Sequence, residues 1–400
     1  MLHNAGFSAF LAGGCVRDAL LGRHPKDYDV ATDATPETVR KVFGKRNTLA
    51  FGSSFGVIGV LPEKSAAQAS GETLLPTEVA TFRSDGEYSD GRRPDSVHYG
   101  NAQQDALRRD FTINGMFYDS TDHCVIDFVG GRDDLRDGIL HTIGDPHQRF
   151  DEDKLRMLRA VRFATTLGFS LTPETKQAII EHASTIAMVS GERIGAEMRR
   201  IMQSPAAIQG VQLLSDVRLI EPVFPEWMSA NQELAAKLLS NLSEPTFTRA
   251  LACVLLATPD GSLSRIANRW KLSNEEQREI NAAIALHETV IRAESLPWSK
   301  VQPVLTHRDV ASIIAVAQAV ASGRDADLAG VNRCKTALSW EPQRLDPPPL
   351  INGNDLADLG YRPGPTFAKA LRAIRDAQLN GVVTSREEAI QMAASTIRDN

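Results

Sequence analysis

The sequence predicts an α+β fold, in which a head built on a small mixed sheet is followed by an all-helical array. Three observations carry that prediction. Short apolar or alternating runs, bounded by glycine turns, are confined to the N-terminal part that ends near Arg149. From Arg149 onward strand signals nearly vanish, and segment after segment repeats its apolar residues with a helical period. The one proline-rich connector, PQRLDPPPLINGNDL, falls late and precedes a last helical stretch. At 400 residues the chain suits two or three domains and can bury a large core.

Each element follows in order. GFSAFLAGG reads as a chain entering a turn at Gly13 and Gly14. CVRDALLG places Val16, Ala19 and Leu20 at helical spacing, with Gly22 as a stop. DYDVAT is a short strand. ATPETVRKVFG is a capped helix, with Thr35 as cap, Pro36 in the first turn, Glu37 near the positive end and Gly44 after it. FGVIGVL and TEVATF are strands, and the Ala/Ser/Gly-rich piece Ser65–Gly71 between them is a surface excursion. The polar, glycine-containing stretch Arg83–Tyr99 reads as a mobile loop. RRDFTINGMFYD then leads into CVIDFVGG, a further strand. Beyond it, DEDKLRMLRAVRFATTLGF, PETKQAIIEHASTI, SGERIGAEMRRIM and the segments through PTFAKALRAIRDAQLNG read as helices, with no fixed repeat to suggest a solenoid.

Composition narrows the function classes. With 42% hydrophobic and 24% charged residues the chain is ordinary for a soluble globular protein. No apolar run approaches the roughly 20 residues that span a bilayer, so no membrane partner is expected. MLHNAGFSAFLAGG has no basic n-region and does not read as a signal peptide. Cys15, Cys124, Cys253 and Cys334 are scattered without a CxxC pair, which points away from a zinc knuckle or disulfide scaffold and toward a reducing, cytoplasmic setting. The net charge of −6 argues against bulk, nonspecific nucleic-acid binding but leaves room for a local basic groove. Basic residues do cluster, at Arg40, Lys41, Lys45 and Arg46, at Arg92 and Arg93, at Arg108 and Arg109, and at Arg156, Arg159 and Arg162.

The chemistry concentrates in LAGGCVRDALLGRHPKDYDVATD, Leu11–Asp33. A Gly-Gly turn lets the backbone approach a phosphate, because no Cβ intervenes. Asp27 and Asp29 are two apart and, on a strand, share a face, where two carboxylates can hold divalent metal ions. Glu78 in PTEVATF is the best candidate for a third carboxylate from a neighbouring strand, the lesser alternative being an outward-facing strand residue. In Glu152-Asp153-Lys154-Leu155-Arg156, a helix would put Asp153 and Arg156 on one face. An aspartate accepts from an exocyclic amine and an arginine donates to a ring acceptor. Cytosine and adenine both offer an amine beside an unprotonated ring nitrogen, whereas uracil and guanine do not. One Asp-Arg pair could therefore accept CTP and ATP without a template. Taken alone, Glu152 and Arg156 are also an ordinary i,i+4 surface pair.

These motifs, with TEVATFR, RRDFTINGMFYD, DEDKLRMLRAVRFATTLGF and SGERIGAEM in order and INGNDLADLGYRPGPTFAKALRAIRDAQLNGVVTSREEA near the end, resemble the class II tRNA nucleotidyltransferases. Those are the CCA-adding enzymes, with bacterial poly(A) polymerases as close relatives. The resemblance implies a polymerase-β-like nucleotidyltransferase head over residues 1–148, a helical neck that selects the base over 149–210, a helical body over 211–345 and a tRNA-binding tail over 346–400. It implies addition of CCA to tRNA 3′ ends from CTP and ATP, with release of pyrophosphate by a two-metal-ion mechanism and Mg2+ as cofactor. Gly13, Gly14 and Arg17 would lie against the triphosphate, and Asp27, Asp29 and Glu78 would be catalytic, the first two as metal ligands. Arg108, Arg109 and Asp110 match the motif at the incoming sugar, where Asp110 would read a ribose hydroxyl; Asn114, Asp153, Arg156, Arg159 and Arg162 are further nucleotide contacts. The family generally carries Ala where this chain has Gly115. The loop with Arg92, Arg93 and Pro94 matches the flexible element that CCA- and A-adding members use to move from C to A. Glu192–Glu197 matches a motif that braces the neck. No histidine is followed by Asp, so the appended HD phosphohydrolase domain of some relatives is not expected.

Three other readings share these motifs: an A-adding enzyme that completes tRNA ending in CC, a poly(A) polymerase, and an inactive RNA-binding module. The loop and the tail resemble the tRNA enzymes, and all three carboxylates are present. The sequence carries no signal of oligomeric state.

Overall fold

In the computed structural model the described residues are 1–52, 56–62, 75–86, 88, 94–259, 263–362 and 364–398. They form two compact units. One comprises Met1–Ile201 with Gln209–Pro225, the other Met202–Ile208 with Glu226–Asn400.

The first unit contains a seven-stranded mixed sheet in the order β3-β4-β5-β2-β1-β8-β9. The strands are β1 (Ala9–Ala12), β2 (Asp29–Thr32), β3 (Thr48–Gly52), β4 (Val57–Val60), β5 (Thr77–Thr81), β8 (Phe117–Asp119) and β9 (Cys124–Ile126). Only β2 and β5 run parallel. Side chains alternate across the sheet. Ala9 and Val30 face a core of Ile58, Val79 and Val39, the last from α2 (Pro36–Phe43). Phe10, Ala12 and Ala31 face the opposite core, with Phe82, Ala106 and Phe117. α2 is capped as its sequence predicts, the Thr35 side chain accepting from the Thr38 N–H.

Two expectations change here. The flanks of the Arg83–Tyr99 stretch are a short antiparallel ribbon, β6 (Arg83–Asp85) with β7 (Val97–Tyr99). Arg92 and Arg93 lie outside the described residues, and Pro94 is half-buried. The segment beginning Asp151 is not one helix. A helix over Pro146–Glu152 ends at Asp153, whose backbone is extended (φ −147°, ψ 104°), and a second helix runs Leu155–Leu167. The Asp153 carboxylate accepts from the Leu155 N–H at 3.1 Å, so this residue starts the second helix as it stops the first.

The second unit is helical. Helices Asn274–Ile291, Trp298–Leu305, Val310–Gly323 and Ala329–Leu338 share one core, built from Val290, Val301, Val304, Ile313, Ala317, Val331 and Cys334. Helices Gly353–Asp358, Pro365–Leu379 and Arg386–Arg398 enclose a separate core around Ile351, Leu356, Ile374, Val383, Ala389 and Ala393. Trp227 and Trp270 are fully buried, and Trp298 stacks at a tilt on Trp340, 5.2 Å between centroids. Among the described residues no single helix is long and apolar enough to cross a membrane.

Candidate active site

The register of β1 assembles the site. Ala12 pairs with Asp29 on one side and with Phe117 on the other. The turn that follows Ala12 therefore lies beside the carboxylate of β2 and beside the RRDFTINGM segment that leads into β8. Gly13 adopts φ +70°, ψ −122°, a backbone state essentially restricted to glycine. Its N–H is used within the fold, donating to the Met116 carbonyl at 3.1 Å. Gly14 opens the helix α1 (Gly14–Leu20), so its N–H has no partner within that helix.

Asp29 begins β2, whereas Asp27 precedes the strand in a bend, so the two are not paired by strand alternation as their spacing suggests. Both nevertheless line the same cleft. Glu78 stands in register with Asp29 across the parallel β2–β5 pair, on the same face of the sheet. Burial first, then the charges of Glu78 and Asp27, push the Asp29 carboxyl up to about 6, with Arg109 opposing. Carboxylates that repel one another in this way are a donor set suited to a hard divalent cation. Among the described residues no three metal-ligating side chains close into a cage of their own.

The cleft holds about 520 Å³ and is lined by Gly13, Gly14, Arg17, Asp27, Asp29, Arg108, Arg109, Asp110, Asn114, Asp153, Arg156, Arg159 and Arg162. Every nucleotide-binding residue expected from the sequence is among them. Phe163 and Arg200 also line it and were not anticipated. Arg17 donates to Asn114 Oδ1 at 2.7 Å, and Arg109 to the Asn114 carbonyl at 3.1 Å. Buried Asp105 holds both Arg108 and Arg109, at 2.7 and 2.9 Å. Asp110 is saturated: Oδ1 accepts from the Phe111 N–H and Asn114 Nδ2, and Oδ2 from Arg159 Nε and Nη2. Burial alone would raise its carboxyl, but Arg159 and Asn114 outweigh that and hold it at about 2.

Asp153 and Arg156 reach the cleft from the junction of two helices rather than from one helical face. Arg193 holds Asp153 Oδ2 at 2.6 Å. Arg156 hydrogen-bonds Glu152, and also donates to the carbonyls of Arg149 and Arg108. The Glu152–Arg156 pair is thus present, but its side chains are only 13% and 10% exposed, so it is no surface pair. Phe163 packs edge-on against Phe111, 5.8 Å between centroids, which pins this helix to the Asp110 segment. Glu197 is buried beside this helix, bonded to Arg162 and facing Arg159 and Arg200. A Cβ on Gly115 would stand 2.7 Å from Val129 Cγ2 and 3.0 Å from Ile143 Cδ1, so an alanine here would need those side chains to shift.

Phe163 could have been found from helical spacing, being seven residues beyond Arg156 and four beyond Arg159. Arg200 carried no such signal until Glu197 was known to face Arg162.

Comparison with known proteins gives a concordant picture. A family model described as the poly A polymerase head domain matches residues 9–141, one described as a probable RNA and SrmB-binding site of polymerase A matches 168–231, and one described as tRNA nucleotidyltransferase domain 2 matches 243–394. The chain is 33% identical to a CCA-adding enzyme of Geobacillus stearothermophilus over 394 residues, covering 97% of this chain and 93% of that protein. It is 33% identical to a CCA-adding enzyme of Lactobacillus johnsonii over 398 residues, with the same coverage. A crystal structure of Bacillus stearothermophilus CCA-adding enzyme in complex with CTP superposes with a TM-score of 0.79 at 30% identity, covering 100% of this chain and 95% of that one. The fold is shared with Thermotoga maritima CCA-adding enzyme complexed with tRNA, at a TM-score of 0.66 and 20% identity, over 99% and 92% of the two chains.

Proposed function

The chain belongs to the family of CCA-adding tRNA nucleotidyltransferases and poly(A) polymerases, and on that premise we propose that it adds C, C and A to tRNA 3′ ends from CTP and ATP, releasing pyrophosphate. The observation that carries this reading is a single cleft lined both by Asp27 and Asp29 and by Asp153 and Arg156. Catalytic and base-selecting groups then act on one bound nucleotide.

In the proposed reaction the primer's 3′ oxygen attacks the α-phosphorus, a new P–O bond forms, and the bond to pyrophosphate breaks. Arg17 and the Gly14 N–H would hold the triphosphate, with Gly13 leaving room for it. Asp27 and Asp29, with Glu78 beside them, would hold divalent ions, taken here to be Mg2+ in a two-ion arrangement. Such ions supply neutralisation of the attacking and leaving oxygens. Asp110 would set the sugar site; because its oxygens already carry four donors, a ribose hydroxyl must displace or share one of them. Asp153, oriented by Arg193, would accept the exocyclic amine of C or A, and Arg156 would donate to the adjacent ring nitrogen. In this reading residues 1–148 are the catalytic head, 149–210 the selecting neck, and 211–345 and 346–400 the body and tail that hold tRNA by shape and phosphate charge.

Single additions to tRNA lacking CCA test these roles, each nucleoside triphosphate being offered alone. Wild type should use CTP and reject UTP and GTP. Asp153→Ala should lose that choice, and Asp29→Ala should incorporate nothing while still binding tRNA. Unchanged incorporation by Asp29→Ala would remove the catalytic assignment. Wild type that binds tRNA and incorporates nothing would favour an inactive RNA-binding module.

A further inference from the structure

We propose that Arg200 is the outer grip on the β- and γ-phosphates of the bound nucleoside triphosphate, and on pyrophosphate as it leaves. This rests on the nucleotidyltransferase reading above and adds to it a residue that no motif marks.

The argument begins with charge. Glu197 is 4% exposed and faces three guanidiniums. Arg162 Nε is hydrogen-bonded to it; Arg159 Nη1 stands at 4.0 Å and Arg200 Nη1 at 3.8 Å. Arg159 has its own carboxylate, holding Asp110 through two nitrogens. Once Glu197 serves Arg162, Arg200 is the surplus cation. It is also the loosest of the three: its side chain is 55% exposed, against 31% for Arg159 and 11% for Arg162. Burial, with Arg159 and Arg200 adding to it and Glu197 opposing, drives the Arg162 guanidinium down to about 10. Three guanidiniums thus share two carboxylates, Asp110 and Glu197, and Arg200 lines the cleft in which an anion would supply the third charge.

Position selects the anion. Three arginines meet the Phe163 ring, with Arg162 Cζ 3.7 Å, Arg17 Cζ 5.0 Å and Arg159 Cζ 5.4 Å from its centroid. Arg159 is committed to Asp110 at the sugar site, so the Arg162–Glu197–Arg200 chain is tied through this ring to Arg17, which follows the Gly13-Gly14 turn where the triphosphate would sit. The base-selecting groups are held by other partners, Asp153 by Arg193 and Arg156 by Glu152. At 3.8 Å from Glu197, Arg200 is beyond hydrogen-bond length and can turn to a phosphate at the loss of little more than a weak ion pair.

The test is equilibrium binding to the full-length chain with magnesium ions and no RNA, using CTP, CMP and pyrophosphate as probes. Arg200→Gln should weaken CTP and pyrophosphate about tenfold each, the order expected of one charge-assisted hydrogen bond, and leave CMP unchanged. Arg200→Lys should recover most of the loss, since charge and reach are kept. Arg200→Gln that binds CTP as wild type does, or that loses CTP and CMP equally, overturns the assignment. So does a variant whose affinity falls for tRNA and not for CTP. Wild type that binds CTP no better than CMP would instead overturn the nucleotide-site reading itself, and this role with it.

Discussion

Asp29 is where the chemistry of the site is most exposed to measurement. Its carboxyl is pushed up to about 6 by burial and by the neighbouring charges of Glu78 and Asp27. The sign follows directly. Below that value the folded protein holds a proton at Asp29 that a cation must displace; above it the carboxylate is free to bind. Affinity for magnesium or manganese ions should therefore fall about tenfold per pH unit below about pH 6 and level off above it. Calorimetric titration of the nucleotide-free protein across that range checks this, and Asp29→Asn should bind weakly with no step. Equal affinity on both sides of pH 6 would contradict it. At this scale the sequence was informative about residue type and less so about partners. Gly13 and Gly14 were legible as a tight turn, but not that the Gly13 N–H is used by Met116. Asp110 was legible only through the family resemblance as a candidate sugar contact, and not that four donors already surround it, because those come from Asn114, Phe111 and a distant Arg159.

Elements were legible where an apolar pattern had a face to bury. β1, β2, β4 and β5 follow their apolar runs, and α2 follows its cap. Three-residue strands such as β6 and β7, with no fully buried residue, leave no pattern and so read as loop. The break at Asp153 was hidden for another reason. Apolar residues at Phe150, Met157, Leu158 and Val161 continue across it at spacings a single helix would also give. What stops the helix is a side-chain hydrogen bond to the Leu155 N–H, reinforced by Arg193 from a helix forty residues on. The helix Leu155–Leu167 is in turn tied through Arg162 to Glu197. Removing that carboxylate leaves a buried guanidinium unpaired, so Glu197→Ala should cost about 3 kcal/mol in chemical denaturation of the first unit. A loss under about 1 kcal/mol would mean that the Arg162–Glu197 pair does not hold this helix.

For the whole molecule, the division into an α+β part and a helical part was visible from periodicity alone, and the seven-stranded mixed sheet agrees with it. The helical half gives less to sequence reasoning, since its buried residues specify packing and say little about what its surface grips. The proposed substrate is a whole tRNA, so the decisive test uses the full chain. Three labelled RNAs are offered with CTP and ATP, singly and together: tRNA lacking CCA, tRNA ending in CC, and oligo(A). The account predicts that tRNA lacking CCA grows by C, C and A and stops, that tRNA ending in CC gains one A, and that oligo(A) is not extended into long tails. Extension of only the CC-ending tRNA, or long tails on oligo(A), would contradict it.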